Sequence, residues 1–136
     1  MRKTQRWLAG SLVALAVLPG AVFAQSGFDL GKREYEASCA SCHGSAGKGD
    51  GALRQHLVKA PADLTTLVKR NGGVFPTQRV WESIDGRGGT QVGAHGTRDM
   101  PIWGNVFRAE DTQPYELHVR TRISALVDYL SRLQEK

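Results

Sequence analysis

Residues 39–43 read Cys39-Ala40-Ser41-Cys42-His43, and they contain both cysteines of the chain. Two cysteines two residues apart, followed at once by histidine, form the attachment signature of a c-type haem. At this spacing each thiol reaches one vinyl group of the porphyrin, and His43 is left beneath the iron as an axial nitrogen ligand. A chain joined to haem in this way must fold around a flat and largely apolar disc. Other chemistries of the motif fit less well. A thioredoxin-like redox pair requires a strand–helix–strand setting, which the flanking residues lack. A disulfide or a zinc site leaves His43 unexplained, and no second Cys/His pair stands at zinc spacing. The expected cofactor is therefore one covalently attached haem c with its iron.

The first 24 residues do not belong to that fold. Arg2, Lys3 and Arg6 form a positive n-region, Leu8 to Leu18 an apolar h-region, and Pro19-Gly20 a break. Ala21-Val22-Phe23-Ala24 then places small residues where a signal peptidase needs them. Residues 1–24 read as a signal peptide cleaved after Ala24, and residues 25–136 as the domain. The apolar run is too short to span a bilayer comfortably, so no stable membrane insertion is expected after cleavage. Export suits the cysteines, because c-type haem is attached outside the bacterial cytoplasm; a periplasmic location is expected. Losing the three n-region cations lowers the formal charge from +5 to +2. The basic balance is thus partly a property of the precursor. With no Lys/Arg cluster and no interleaved aromatics, nucleic acid is not an expected partner.

The remaining pattern is helical and glycine-rich. Asp29 caps a short helix from Leu30 to about Cys39. Gly44-Ser45-Ala46-Gly47-Lys48-Gly49-Asp50-Gly51 lacks the ending of a phosphate-binding loop and follows no strand, so it reads as tight turning beside a flat cofactor. Ala52 to Lys59 forms one or two helical turns. Pro61-Ala62-Asp63-Leu64 opens a helix that Asn71-Gly72-Gly73 closes. Pro76-Thr77 opens another, with Val80, Trp81 and Ile84 on its apolar face and Gly86 as its stop. Gly86 to Gly104, with six glycines and one proline, reads as a long functional loop. Asn105 to Pro114 reads as a connection with Phe107 as an apolar plug. Glu116 to about Leu133 is the clearest helix, with Val119, Ile123, Leu126, Val127, Leu130 and Leu133 at spacings of three and four. The expected class is all-α: short helices and glycine-rich loops around one haem.

The sixth iron ligand has two candidates. Met100 is the only methionine after Met1; it lies in the glycine-rich loop ahead of Pro101, and a thioether suits iron in electron-transfer sites. His95 is the competitor, in a bis-histidine site. His56 and His118 read as solvated. Arg87, Arg98 and Trp103 are candidate partners for the haem propionates.

These features together resemble the class I c-type cytochromes, small monohaem electron carriers. The resemblance rests on the Cys39–His43 motif near the mature amino terminus, the Gly44–Gly51 loop, Pro61-Ala62-Asp63-Leu64, Met100-Pro101, and Ile123 to Leu133. It spans essentially the whole mature chain. It implies thioether bonds at Cys39 and Cys42, His43 as proximal ligand and Met100 as distal ligand. It also implies a crossing of the first and last helices, with Gly31 and Tyr35 meeting Leu126 and Tyr129. Finally, it implies a proline carbonyl, best matched by Pro61, that accepts the proton of the axial imidazole. The motif's position excludes the four-helix cytochromes c′, whose attachment site is near the carboxyl end.

Three functions stand as expectations. The first is a one-electron carrier, not an enzyme, between periplasmic or inner-membrane redox proteins. The second is a dedicated cytochrome c subunit of a periplasmic dehydrogenase or oxidase complex. The third, from a different class, is a haem enzyme or gas sensor with an open iron position, for which His95 is the distal candidate.

Overall fold

A computed structural model describes residues 28–86, 100–110 and 116–135. The expected signal segment, and the candidates Arg87, His95 and Arg98, lie outside the described residues.

Helix α1 (Leu30–Ser38) starts where the sequence says it should. The Asp29 carboxylate accepts the Lys32 N–H at 3.0 Å, satisfying one of the free donors of the first turn. Its buried residues, Gly31 and Tyr35, are four apart and so share one face. The chain continues through Cys39 into the single turn α2 (Ala40–His43), which stops at Gly44 with φ +79°. A 3-10 turn follows at Ala52–His56 and another at Leu64–Thr66, leading into α3 (Leu67–Arg70). Helix α4 (Thr77–Asp85) buries Val80 and Ile84, as the apolar spacing predicts, and ends on left-handed Gly86. Two more helices follow among the described residues, α5 (Trp103–Glu110) and α6 (Glu116–Arg132). Helix α6 buries Val119, Ile123, Leu126, Val127 and Leu130. Among the described residues every regular element is helical, which agrees with the all-α expectation.

Helix α5 departs from the sequence reading. Asn105 to Pro114 is not a simple connection, and the irregular region does not run to Gly104. Residues Trp103–Glu110 are helical, with Gly104 and Phe107 buried. Pro101 precedes the helix, and the Ile102 carbonyl accepts from Asn105 and Val106 N–H at 3.0 and 3.2 Å. Trp103, Val106 and Phe107 supply the three- and four-residue spacing. Gly104 masks that pattern, because glycine ordinarily disfavours a helix. Phe107 is the expected plug, 1% exposed.

The broadest helix contact is the crossing of α1 and α6. A Cβ on Gly31 would lie 2.1 Å from the Ala125 carbonyl oxygen and 2.8 Å from Tyr129 Cβ. Only glycine permits this approach, and Tyr35 meets Tyr129 at 5.3 Å between ring centroids. Arg122 of α6 extends the crossing to α5. Its guanidinium bonds Glu34 at 3.0 and 2.9 Å and Glu110 at 3.0 Å, and lies 3.8 Å over the Phe107 ring. The core is Tyr35, Cys39, Val80, Ile84, Phe107 and the inner face of α6. Among the described residues no helix is long and apolar enough to cross a membrane.

Candidate haem site

The attachment motif occupies one wall of a cleft with two lobes, of about 410 and 480 Å³. Cys39, His43, Ala62 and Met100 line both lobes. Cys42, Leu57, Pro101 and Trp103 are among the others lining the first; Leu64, Leu67, Val80 and Ile84 give the second apolar walls. A mostly apolar cleft of this size with a few convergent polar groups is the usual form of a cofactor site.

The wall is built by backbone hydrogen bonds around α2. Cys39 carbonyl accepts from His43 N–H at 2.9 Å, so the motif is one tight turn. The glycine loop then folds back over it: Gly49 N–H donates to the His43 carbonyl at 2.8 Å and Gly51 N–H to the Cys42 carbonyl at 3.1 Å. From inside, the Tyr35 hydroxyl donates to the Gly44 carbonyl at 2.6 Å. Burial pushes the Tyr35 phenol up, so it remains a donor at any ordinary pH.

His43 is oriented by the next loop. Its Nδ1 lies 2.9 Å from the Ala62 carbonyl oxygen. A carbonyl only accepts, so Nδ1 carries the proton and Nε2 keeps its lone pair, the form a metal requires. The partner is not Pro61, as the resemblance implies, but the next residue. The Pro61 carbonyl instead packs on Gly49, where a Cβ would lie 2.5 Å from it. Past Ala62 the chain direction is held by Asp63, whose carboxylate accepts from Thr65 N–H at 2.8 Å and Thr65 hydroxyl at 2.6 Å. These bonds hold the Asp63 carboxyl below the usual carboxylate range.

The two thiols differ. Both are free, Cys39 buried and Cys42 partly exposed. Burial, with the Glu34 charge added, pushes the Cys39 thiol up to about 12. Met100 is partly buried and packs against the core beside Trp103; the Trp103 ring lies 5.8 Å from that of Phe107. His56 and His118 are exposed.

Sequence reasoning did not single out Arg70 and Arg79, which line the second lobe. Arg79 stands on the face of α4 that carries Pro76, Val80 and Ser83. Its neighbour Val80 gives no helical-spacing signal for Arg79, which only the fold brings to the cleft. The cleft fits a porphyrin on three counts: apolar walls, two thiols in its lining, and an imidazole whose unprotonated nitrogen is left over by the Ala62 bond.

A helical domain with a Cys-X-X-Cys-His turn at such a cleft is a c-type cytochrome. Residues 27–113 match the family described as cytochrome C oxidase, cbb3-type, subunit III, and the chain belongs to that family. The family carries covalently bound haem iron and acts in electron transfer between redox partners. No curated protein and no solved structure shows significant similarity to the chain.

Proposed function

We propose that the protein carries a single haem, bonded through Cys39 and Cys42 with His43 and Met100 as axial ligands, and passes single electrons between redox proteins of the bacterial periplasm. When bound, the haem supplies a reversible one-electron couple between ferrous and ferric iron, raised in potential by a thioether ligand. The chain supplies the rest. The Ala62 carbonyl fixes the His43 tautomer and ring plane, and the apolar cleft walls limit water. Met100 lines both lobes from the segment leading into α5, within reach of a group seated on His43. If His43 and Met100 both hold the iron, no position on it would be left for a substrate, as a carrier requires. The periplasmic address is supported by the n-region, h-region and cleavage site of residues 1–24.

The observation that carries the reading is the convergence of Cys39, Cys42, His43 and Met100 on one cleft. The oxidised holoprotein should show the weak near-infrared sulfur-to-iron band. Met100→Ala should abolish that band and let the ferrous protein bind carbon monoxide. A band that persists in the variant removes Met100 from the site. Carbon monoxide binding by the wild type would instead favour an open iron position.

A second reading is a dedicated subunit of an oxidase complex, and the description of its family favours it. Purification from the native membrane separates the two. A stable assembly with an oxidase supports the subunit, and a monomer that exchanges electrons with several partners supports the carrier.

A further inference from the structure

Helix α4 ends on Asp85, a carboxylate that is fully buried. Removing a carboxylate from water is unfavourable unless it is paired and hydrogen-bonded, so its position calls for a structural reason. Its Oδ1 lies 3.1 Å from Arg108 Nη2 of α5. Arg108 also bonds Asn105 Oδ1 at 3.0 Å and, across to α6, Glu116 Oε2 at 3.3 Å. The first turn of α5 rests directly on Asp85: a Cβ on Gly104 would lie 2.4 Å from its Oδ1 and 2.6 Å from its carbonyl oxygen. This turn is also the positive end of the helix, which favours a carboxylate there. The next residue of the chain, Gly86, is left-handed, and a Cβ on it would lie 2.4 Å from Ile102 Cγ2. Two consecutive residues at the end of α4 thus grip residues 102–104, and Met100 lies two residues before that grip.

We propose that Asp85 is a positioning residue for the Met100 thioether. The Asp85–Arg108 pair sets where α5 begins, and so how firmly Met100 is held in the cleft. The inference rests on the reading of Met100 as an axial ligand and goes beyond it, because Asp85 lines neither lobe. A merely structural ion pair would change stability alone. A positioning pair also changes how easily another ligand displaces the sulfur.

Imidazole titration of the oxidised holoprotein measures that displacement. Asp85→Asn keeps the side-chain size and removes the charge. Imidazole affinity should rise about tenfold, the effect of weakening one charge-assisted hydrogen bond. The reduction potential should fall, because a loosely held thioether favours the reduced iron less. Arg108→Gln, at a partly exposed side chain, should do the same and serves if Asp85→Asn does not fold. The double variant should add little to either single one, as expected for two halves of one pair. Arg132→Ala, which removes the Asp29 pair at the α1–α6 crossing, should lower the unfolding temperature without moving imidazole affinity. Wild-type affinity and potential in both Asp85→Asn and Arg108→Gln, with the sulfur-to-iron band present, overturn the inference alone. A wild type that lacks this band overturns the Met100 assignment and the inference with it.

Discussion

His43 shows how one hydrogen bond fixes the tautomer of an imidazole. The Ala62 carbonyl accepts a hydrogen bond from Nδ1–H, and Nε2 is left with its lone pair. The carbonyl is in turn held in place through Asp63, whose carboxylate bonds Thr65. That carboxylate gives a pH test. Its folded-state value is depressed, so the Thr65 bonds contribute stability that is complete above the ordinary aspartate value of 3.8 and is lost as the pH falls through the lower folded value. The urea midpoint of the holoprotein should therefore drop between pH 5 and pH 3. Asp63→Asn, which is neutral throughout, should make that drop shallower. An equal drop in the variant would assign the acid sensitivity to other groups, of which Asp29, also depressed chiefly by its Lys32 cap bond, is the next to test.

Among the helices, the α1–α6 crossing and the α4–α5 junction rest on the same device, a glycine where two backbones meet. For Gly31 the competing effects have different sizes. Alanine would gain about 1 kcal/mol of helix propensity. Against this, its Cβ would meet the Ala125 carbonyl at 2.1 Å, and backbone cannot rotate away. Overpacking of this kind costs about 1–3 kcal/mol, occasionally more, so the clash wins. Gly31→Ala should lower the unfolding temperature of the holoprotein; an unchanged or raised value would mean that the helices separate at little cost. The helix content was largely legible in the sequence. Asp29 marks the start of α1, Gly86 the end of α4, and the apolar spacing the whole of α6. Helix α5 was not legible, because Gly104 reads as a breaker. Its absent side chain leaves the room that the buried Asp85 carboxylate takes.

In the assembled domain the cofactor is also structural. Without haem the apolar side chains lining the first lobe, among them Leu53, Leu57 and Trp103, would face water, and the stability of a small domain is only about 5–15 kcal/mol. The chain without haem should not hold this fold. Cys39→Ala/Cys42→Ala, which cannot form thioethers, should show strongly reduced helical circular dichroism and no cooperative thermal transition. A cooperative transition near that of the holoprotein would mean that the cleft collapses onto its own side chains.

What the sequence determined by itself is what depends on neighbours along the chain. The Cys39–His43 spacing dictates covalent haem, Asp29 caps within three residues, and the stripe from Val119 to Leu130 defines a buried face through helical period alone. The tertiary structure decided what depends on distant segments. The imidazole partner, 19 residues away, is Ala62 and not Pro61, because Gly49 lets the Pro61 carbonyl pack elsewhere. Arg70 and Arg79 line the cleft only because α3 and α4 fold over it. Asp85 reads as an ordinary polar helix end until Arg108, 23 residues later, is seen beside it. Hydrogen bonds within one turn follow from residue order; a carbonyl, a cation or a glycine gap supplied across the fold depends on how the helices pack.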